Sequence, residues 1–400
     1  MKKIFKLKEH ENLQLGLVCI YSTLVLLSLL SISLMGWTTF WGKLRIPTMY
    51  PYFADLRTIQ GAVMGIPNGI DPQIDNPDDP WGRPMNYPKI WIQIGNLFQI
   101  SGEAGFFVFG IFIIFLFLLC AIHFLWCFPS VITLISFCSF ATILAVERGN
   151  NDLLVFVLIY VSVFLKKKWT KTAVFIVATI LKIYPIFALL SIRSNRKQLI
   201  TICGILSVYF LFIFDQLSSI SKGNSAGGTL SYGLRTFVGF LKSIFQHPIG
   251  STYKNLLWMS LILTIAIFIL SLFLIKQSLS ISSHVLTSID TRKTDLFLSG
   301  AGIYCGTFVF ASNWDYRLVF LIFCLPLLTT IPNAFISIVL PFSFLIAMNV
   351  IPLSIVLPGV LSALISNSIK LAIFVLLMIL SSSILRFQLF ENLKLKESDR

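Results

Sequence analysis

Four hundred residues that are 56% hydrophobic and 12% charged, with a mean hydropathy of +0.86, exclude a water-soluble globule, because an average soluble chain carries about 25% charged residues. The net charge of +14 does not mark a nucleic-acid binder. The basic residues fall in short clusters between apolar runs, as the positive-inside rule expects of membrane proteins, and no basic stripe is interleaved with aromatics.

Apolar runs of roughly 17–23 residues recur along the chain, long enough to cross a bilayer as helix. The reading is an all-α polytopic membrane protein, one integral domain over 1–400, with about 10–12 transmembrane or re-entrant helices. The seven cysteines lie in or beside apolar segments and the four histidines are scattered. No CxxC or HExxH spacing is present, so neither a disulfide framework nor a metal site is expected.

In chain order, Lys2, Lys3, Lys6 and Lys8 precede a run from about Leu13 to Met35. The run is too long for a signal-peptide core and no cleavage site follows, so it reads as an uncleaved first span with a cytoplasmic basic end. The loop 36–104 is then outside. Between Pro47 and Trp91 it carries eight of the 16 prolines and the aspartates 55, 71, 75, 78 and 79. Runs follow at Gly105–Trp126 and Val131–Val146, then the polar stretch Glu147–Asp152, outside, and a short run Leu153–Leu165 leading to the cytoplasmic lysines 166–168 and 171.

The run Thr172–Ile192 sits between two basic clusters, the second being Arg193, Arg196 and Lys197. Both can be cytoplasmic if the run breaks at Lys182-Ile-Tyr-Pro185 into two half-helices, since proline breaks the helical hydrogen-bond ladder. A span Leu199–Phe214 leads to a second outer loop, 215–255, with a flexible stretch at Lys222–Gly228 and an amphipathic one at Leu234–Phe245. Further runs are expected at Leu256–Ile275, Leu296–Ala311, Leu318–Thr330, Ala334–Met348 and Ile369–Leu385. Leu353–Ile365 reads as interfacial, and Arg386–Arg400 as a cytoplasmic tail.

In a chain this poor in charge, ionisable groups near the bilayer are functional candidates. Asp55 follows Tyr50, Tyr52 and Phe53; its bland role is to cap a helix starting at Leu56. Arg148 and Asp152 are four apart, which also suits a local i,i+4 pair. Lys182 lies mid-run, a long reach for snorkelling. Asn313-Trp-Asp-Tyr-Arg317 is either a solvated turn or, on the same outer side, part of the same site.

These residues resemble the GT-C class of membrane glycosyltransferases, most closely family 87, which uses polyprenol-phosphate-mannose. Asp55, Ala62, Gly69 and Asp71-Pro72 match its post-span pattern, and Tyr87-Pro88, Gly149–Asp152, Lys182-x-x-Pro185 and Trp314–Arg317 follow in order. Asn150 stands where the family has glutamine, and Lys89 where it has a second proline. The resemblance implies transfer of a mannose-like hexose from a polyprenyl-phosphate donor to a glycan or glycolipid acceptor, with inversion, at the outer face of a cell membrane. It assigns Asp55 the general base. From their expected place near the same outer face, and because arginine's planar fork of donors suits phosphate, Arg317 is expected to be the principal donor-phosphate ligand, with Arg148 and Lys182 supporting and Tyr316 a hydrogen-bond donor. Asn150, Asp152, Tyr87, Lys89 and Asp315 would bind substrate, and no cofactor or nucleotide domain is implied. The alternatives are a transporter or flippase of lipid-linked sugars, and a surface-glycan polymerase or ligase.

Overall fold

A computed structural model describes residues 2–192, 196–223, 230–246, 289–310, 313–350 and 359–398. The chain is an all-α membrane protein and divides into two compact units, Met1–Ile186 with Arg193–Ser225, and Phe187–Ile192 with Ala226–Arg400. Among the described residues three helices are long and apolar enough to cross a membrane: Glu11–Met35, Glu103–Cys127 and Leu361–Gln388. A bent pair, Gln198–Phe212 and Phe214–Ile220, makes a fourth if it forms one span. The remaining apolar runs within the described residues lie in shorter or broken helices, apart from Leu296–Phe310, which is part of the 20-residue helix Thr291–Phe310.

In the first unit α1 (Lys2–Met35) packs on α5 (Glu103–Cys127), α5 on α8 (Asp152–Phe164), and α8 on α9 (Lys168–Leu181). Stretches rich in Leu, Ile, Val and Phe build the apolar parts of α1 and α5, and Pro129 stops the second, since the residue before a proline is driven out of the helical region. The run 131–146 does not form one span. It divides into α6 (Val131–Phe137) and α7 (Phe140–Glu147), because the Ser139 hydroxyl caps a new helix by accepting the Thr142 N–H at 3.4 Å.

The first loop is folded rather than slack. It holds α2 (Trp37–Lys43), α3 (Ala54–Gly65) and α4 (Ile90–Leu97). Buried Arg57 of α3 donates to Glu103 at the head of α5 (Nη2 to Oε2, 3.0 Å) and lies 4.0 Å from the Phe106 ring centroid. The stretch 66–89 is tied down by Asn76, whose amino group donates to the Thr58 and Arg83 carbonyls at 3.0 and 3.1 Å.

The expected break at Lys182 is present. Helix α9 ends at Leu181, Lys182 is extended (φ −147°, ψ 129°), and a 3-10 segment runs from Tyr184 to Ser191. The Leu181 carbonyl, left open by the break, accepts the buried Trp91 indole N–H at 2.8 Å.

In the second unit the helix Thr291–Phe310 packs on the long helix Gly359–Ser398 and on the run after Asn313. That run corrects an expectation: Leu318–Thr330 is not a lipid-facing span. It is a 3-10 helix, Asp315–Cys324, and one α turn, Leu325–Leu328, with Leu318 to Leu328 all buried in protein. A short antiparallel bridge pairs Ser231 with Trp314 and Tyr232 with Asn313. Residues 359–365 open the long helix instead of lying as an interfacial piece, while 351–358 and the expected span Leu256–Ile275 fall outside the described residues.

Candidate functional site

The first unit brings five of the candidates together. Their anchor is Phe53, the left-handed residue (φ 59°) that caps α3 and is fully buried. Its ring fits against two glycines: a Cβ at Gly110 of α5 would lie 2.6 Å from the ring, and one at Gly149 would lie 2.8 Å from the Phe53 Cβ. Gly149 also has φ +58°, which side chains rarely adopt. Two residues on, the Asp55 N–H donates to the Arg148 carbonyl at 3.0 Å. The start of α3 is thereby set against the turn 148–152.

Asp55 is not the cap of its helix. It lies in the first turn and its carboxylate points into a polar cluster, 15% exposed. Oδ2 accepts from the Asn150 amino group at 2.6 Å, and Oδ1 lies 3.6 Å from Nη1 of Arg83. Asn150 is fully buried; its Oδ1 accepts from Lys182 Nζ at 3.2 Å and from the Asp152 N–H at 2.8 Å. Lys182 forms an ion pair with Asp152, which also accepts the Tyr184 hydroxyl at 2.8 Å. The Tyr87 ring lies beneath the ammonium, 4.9 Å from centroid to Nζ. Lys182 is buried, so it does not snorkel.

The i,i+4 pair of Arg148 and Asp152 does not form. Arg148 ends α7, and the left-handed turn at Gly149 separates it from α8. Its guanidinium pairs with Glu147 at 3.1 Å and donates to the Pro47 carbonyl at 2.7 Å, while buried Glu147 accepts the Met49 N–H at 3.3 Å. These two residues strap the chain entering α3. Lys89 pairs with Asp71 at 2.9 Å at the base of the loop. Burial pushes the Asp71 carboxyl up, but the hydrogen bonds from Lys89 and the Gln73 N–H outweigh it and hold it below its ordinary value.

In the second unit Asp315 is buried against Lys370, Nζ to Oδ1 2.7 Å, and Lys370 also donates to the Ser231 carbonyl at 3.2 Å. Arg317 donates to Asn313, and Tyr316 is half-buried beside them in sequence. Next to this group the Tyr232 hydroxyl meets that of Thr307 at 3.0 Å, and its ring stacks on Tyr304.

Sequence reasoning missed Arg83, Asp79, Glu147 and Lys370. Arg83 is fastened to buried Asp79 through Nε (3.0 Å) and Nη2 (2.9 Å) and reaches the Ala54 carbonyl. Burial opposes the guanidinium charge, yet Asp79 and Asp55 hold it more firmly than usual. Lys370 was visible in principle, as a charge inside the run Ile369–Leu385. Among the described residues no group of three or more His, Cys, Asp or Glu side chains is placed to hold a metal ion. What the cluster in the first unit offers is one partly exposed carboxylate, oriented by an amide and flanked by a guanidinium. Such a group can take a proton from an attacking hydroxyl. No family model, curated protein or solved structure matches the chain.

Proposed function

We propose that the protein is a GT-C-like membrane glycosyltransferase that moves a hexose, mannose-like, from a polyprenyl phosphate to a hydroxyl acceptor at the outer face. The acceptor oxygen bonds to the anomeric carbon as the bond from that carbon to the phosphate oxygen breaks. The acceptor proton passes to Asp55, and the bonding pair leaves with the lipid phosphate. A single displacement inverts the anomeric centre. The donor carries its own activation, so the chemistry asks the protein for a base and for neutralising cations.

The observation that carries this reading is the convergence on Asp55: Asn150 and, through it, Asp152 and Lys182 meet a carboxylate roughly a hundred residues away in sequence. In a membrane protein with 17 acidic residues in all, such an assembly is costly unless it is used. The test is purified protein with a short-chain polyprenyl-phosphate mannose, reading released lipid phosphate and one sugar added to the acceptor. Asp55→Asn keeps shape but cannot take the proton, and turnover should fall about 10²–10⁴-fold with expression retained. Full activity of Asp55→Asn ends the proposal.

A second reading draws on the buried Lys182–Asp152 pair at a broken helix, a feature that also serves transport pathways. Movement of intact lipid-linked sugar across vesicles, without release of lipid phosphate, would favour it.

A further inference from the structure

The Asn150 carboxamide has two ends, and its three neighbours decide which way round it stands. Lys182 Nζ and the Asp152 N–H have protons to give and lone pairs to spare on neither; both face Oδ1, at 3.2 and 2.8 Å. The Asp55 carboxylate has only lone pairs to offer, and it faces Nδ2 at 2.6 Å. Turning the amide over would set donor against donor twice and acceptor against acceptor once. Asn150 is fully buried, so bulk solvent does not relieve that mismatch.

Both ends of the Asn150 carboxamide are thus engaged by the protein itself, and the residue has no exposed surface. We infer that Asn150 is the positioning residue of the site: Lys182 and the Asp152 backbone lock its carboxamide in one orientation, its amino group aims the Asp55 carboxylate, and the ion pair at the helix break acts on the base through it. The inference rests on the glycosyl-transfer reading. It also gives the Lys182–Asp152 pair a purpose. A buried ion pair is often no more stabilising than hydrocarbon of the same volume, so orientation of a neighbour is a reason to keep one. Arg83, flanking the other Asp55 oxygen at 3.6 Å, is held by Asp79 and supplies the second wall of the carboxylate seat.

The test is Asn150→Asp, which keeps the volume and the acceptor facing Lys182 but removes the donor facing Asp55. A base displaced by an ångström costs on the order of 10²-fold, so kcat should fall by about that factor while the donor KM stays as in wild type. Lys182→Met/Asp152→Leu removes both charges without stranding either, and should also lower kcat when Asn150 is present. Asn150→Leu removes the same donor without adding a carboxylate, and combining it with the paired substitution should lower kcat no further than Asn150→Leu alone, because both changes act on one coupling. Thermal melting of each variant checks that it is folded. Should Asn150→Asp not fold, the paired substitution decides alone.

Wild-type kcat in any of these variants, strict additivity of Asn150→Leu with the paired substitution, or a loss confined to KM overturns the assignment. If the wild type itself transfers no sugar, the glycosyl-transfer reading falls and this inference with it. If the wild type transfers and the variants are unaffected, only the positioning role is lost.

Discussion

Glycine 149 offers the sharpest check on how the site is registered. In Gly149→Ala the new Cβ stands 2.8 Å from Phe53 Cβ, 3.0 Å from Cγ and 3.2 Å from Cδ1, at φ +58°. The left-handed backbone costs an alanine roughly 1–2 kcal/mol. Crowding a packed ring adds roughly 1–3 kcal/mol, so the variant should lose about 2–5 kcal/mol in all. Gly69 separates the two contributions, for it has φ +75° with nothing within 4 Å of its Cβ. Gly69→Ala should therefore lose only the backbone part, about 1–2 kcal/mol. Purified variants would be melted side by side in one detergent, and Gly149→Ala should melt well below Gly69→Ala. Because Phe53 leads Asp55 into place, transfer activity should follow the same order. Equal melting temperatures for the two alanine variants would refute the seating of Phe53 against the turn.

Three other outcomes are expected. Lys370→Met strands the buried Asp315 carboxylate and should cost about 3–5 kcal/mol, whereas Lys370→Met/Asp315→Leu should recover most of it in the same melts. Asn151 is buried with neither amide atom hydrogen-bonded, so Asn151→Leu should raise the melting temperature, by the equivalent of about 1 kcal/mol or more; a lower one would mean that the amide has a partner. The Asp71–Lys89 pair is more than a third exposed and should contribute only about a few tenths of a kcal/mol. Since the folded Asp71 value is depressed below 3.8, that contribution is present above 3.8 and lost as pH falls through the folded value, and Lys89→Met should flatten this part of an acid melting series.

The helical, membrane-embedded character was legible because hydropathy over a window reports it directly. So was the helix break, since Pro185 and two basic flanks cannot both suit a plain span. The convergence of Asp55, Asn150, Asp152, Lys182 and Tyr87 was foreshadowed by the scarcity of polar groups around them. Their pairing was not. The spacing of Arg148 and Asp152 assumes a continuous helix, and Gly149 interrupts it; the true partner of Asp152 lies thirty residues on. Arg83 gave no sign of itself, because its place depends on how the proline-rich stretch wraps around Asp79. Hydropathy also failed at Leu318–Leu328, where it could not tell burial in protein from burial in lipid.

The helix Gly359–Ser398 has 40 residues, of which Leu361–Gln388 is the apolar part. At about 1.5 Å per residue it is about 60 Å long, roughly twice the hydrocarbon thickness of a bilayer. The excess must leave the membrane as a rod whose backbone groups are already paired, so it needs no support from a folded domain to stay extended. A reporter joined after Ser398 would therefore stand at the end of the rod, and its distance from the membrane, measured by energy transfer to a headgroup dye, gives the length of the rod directly.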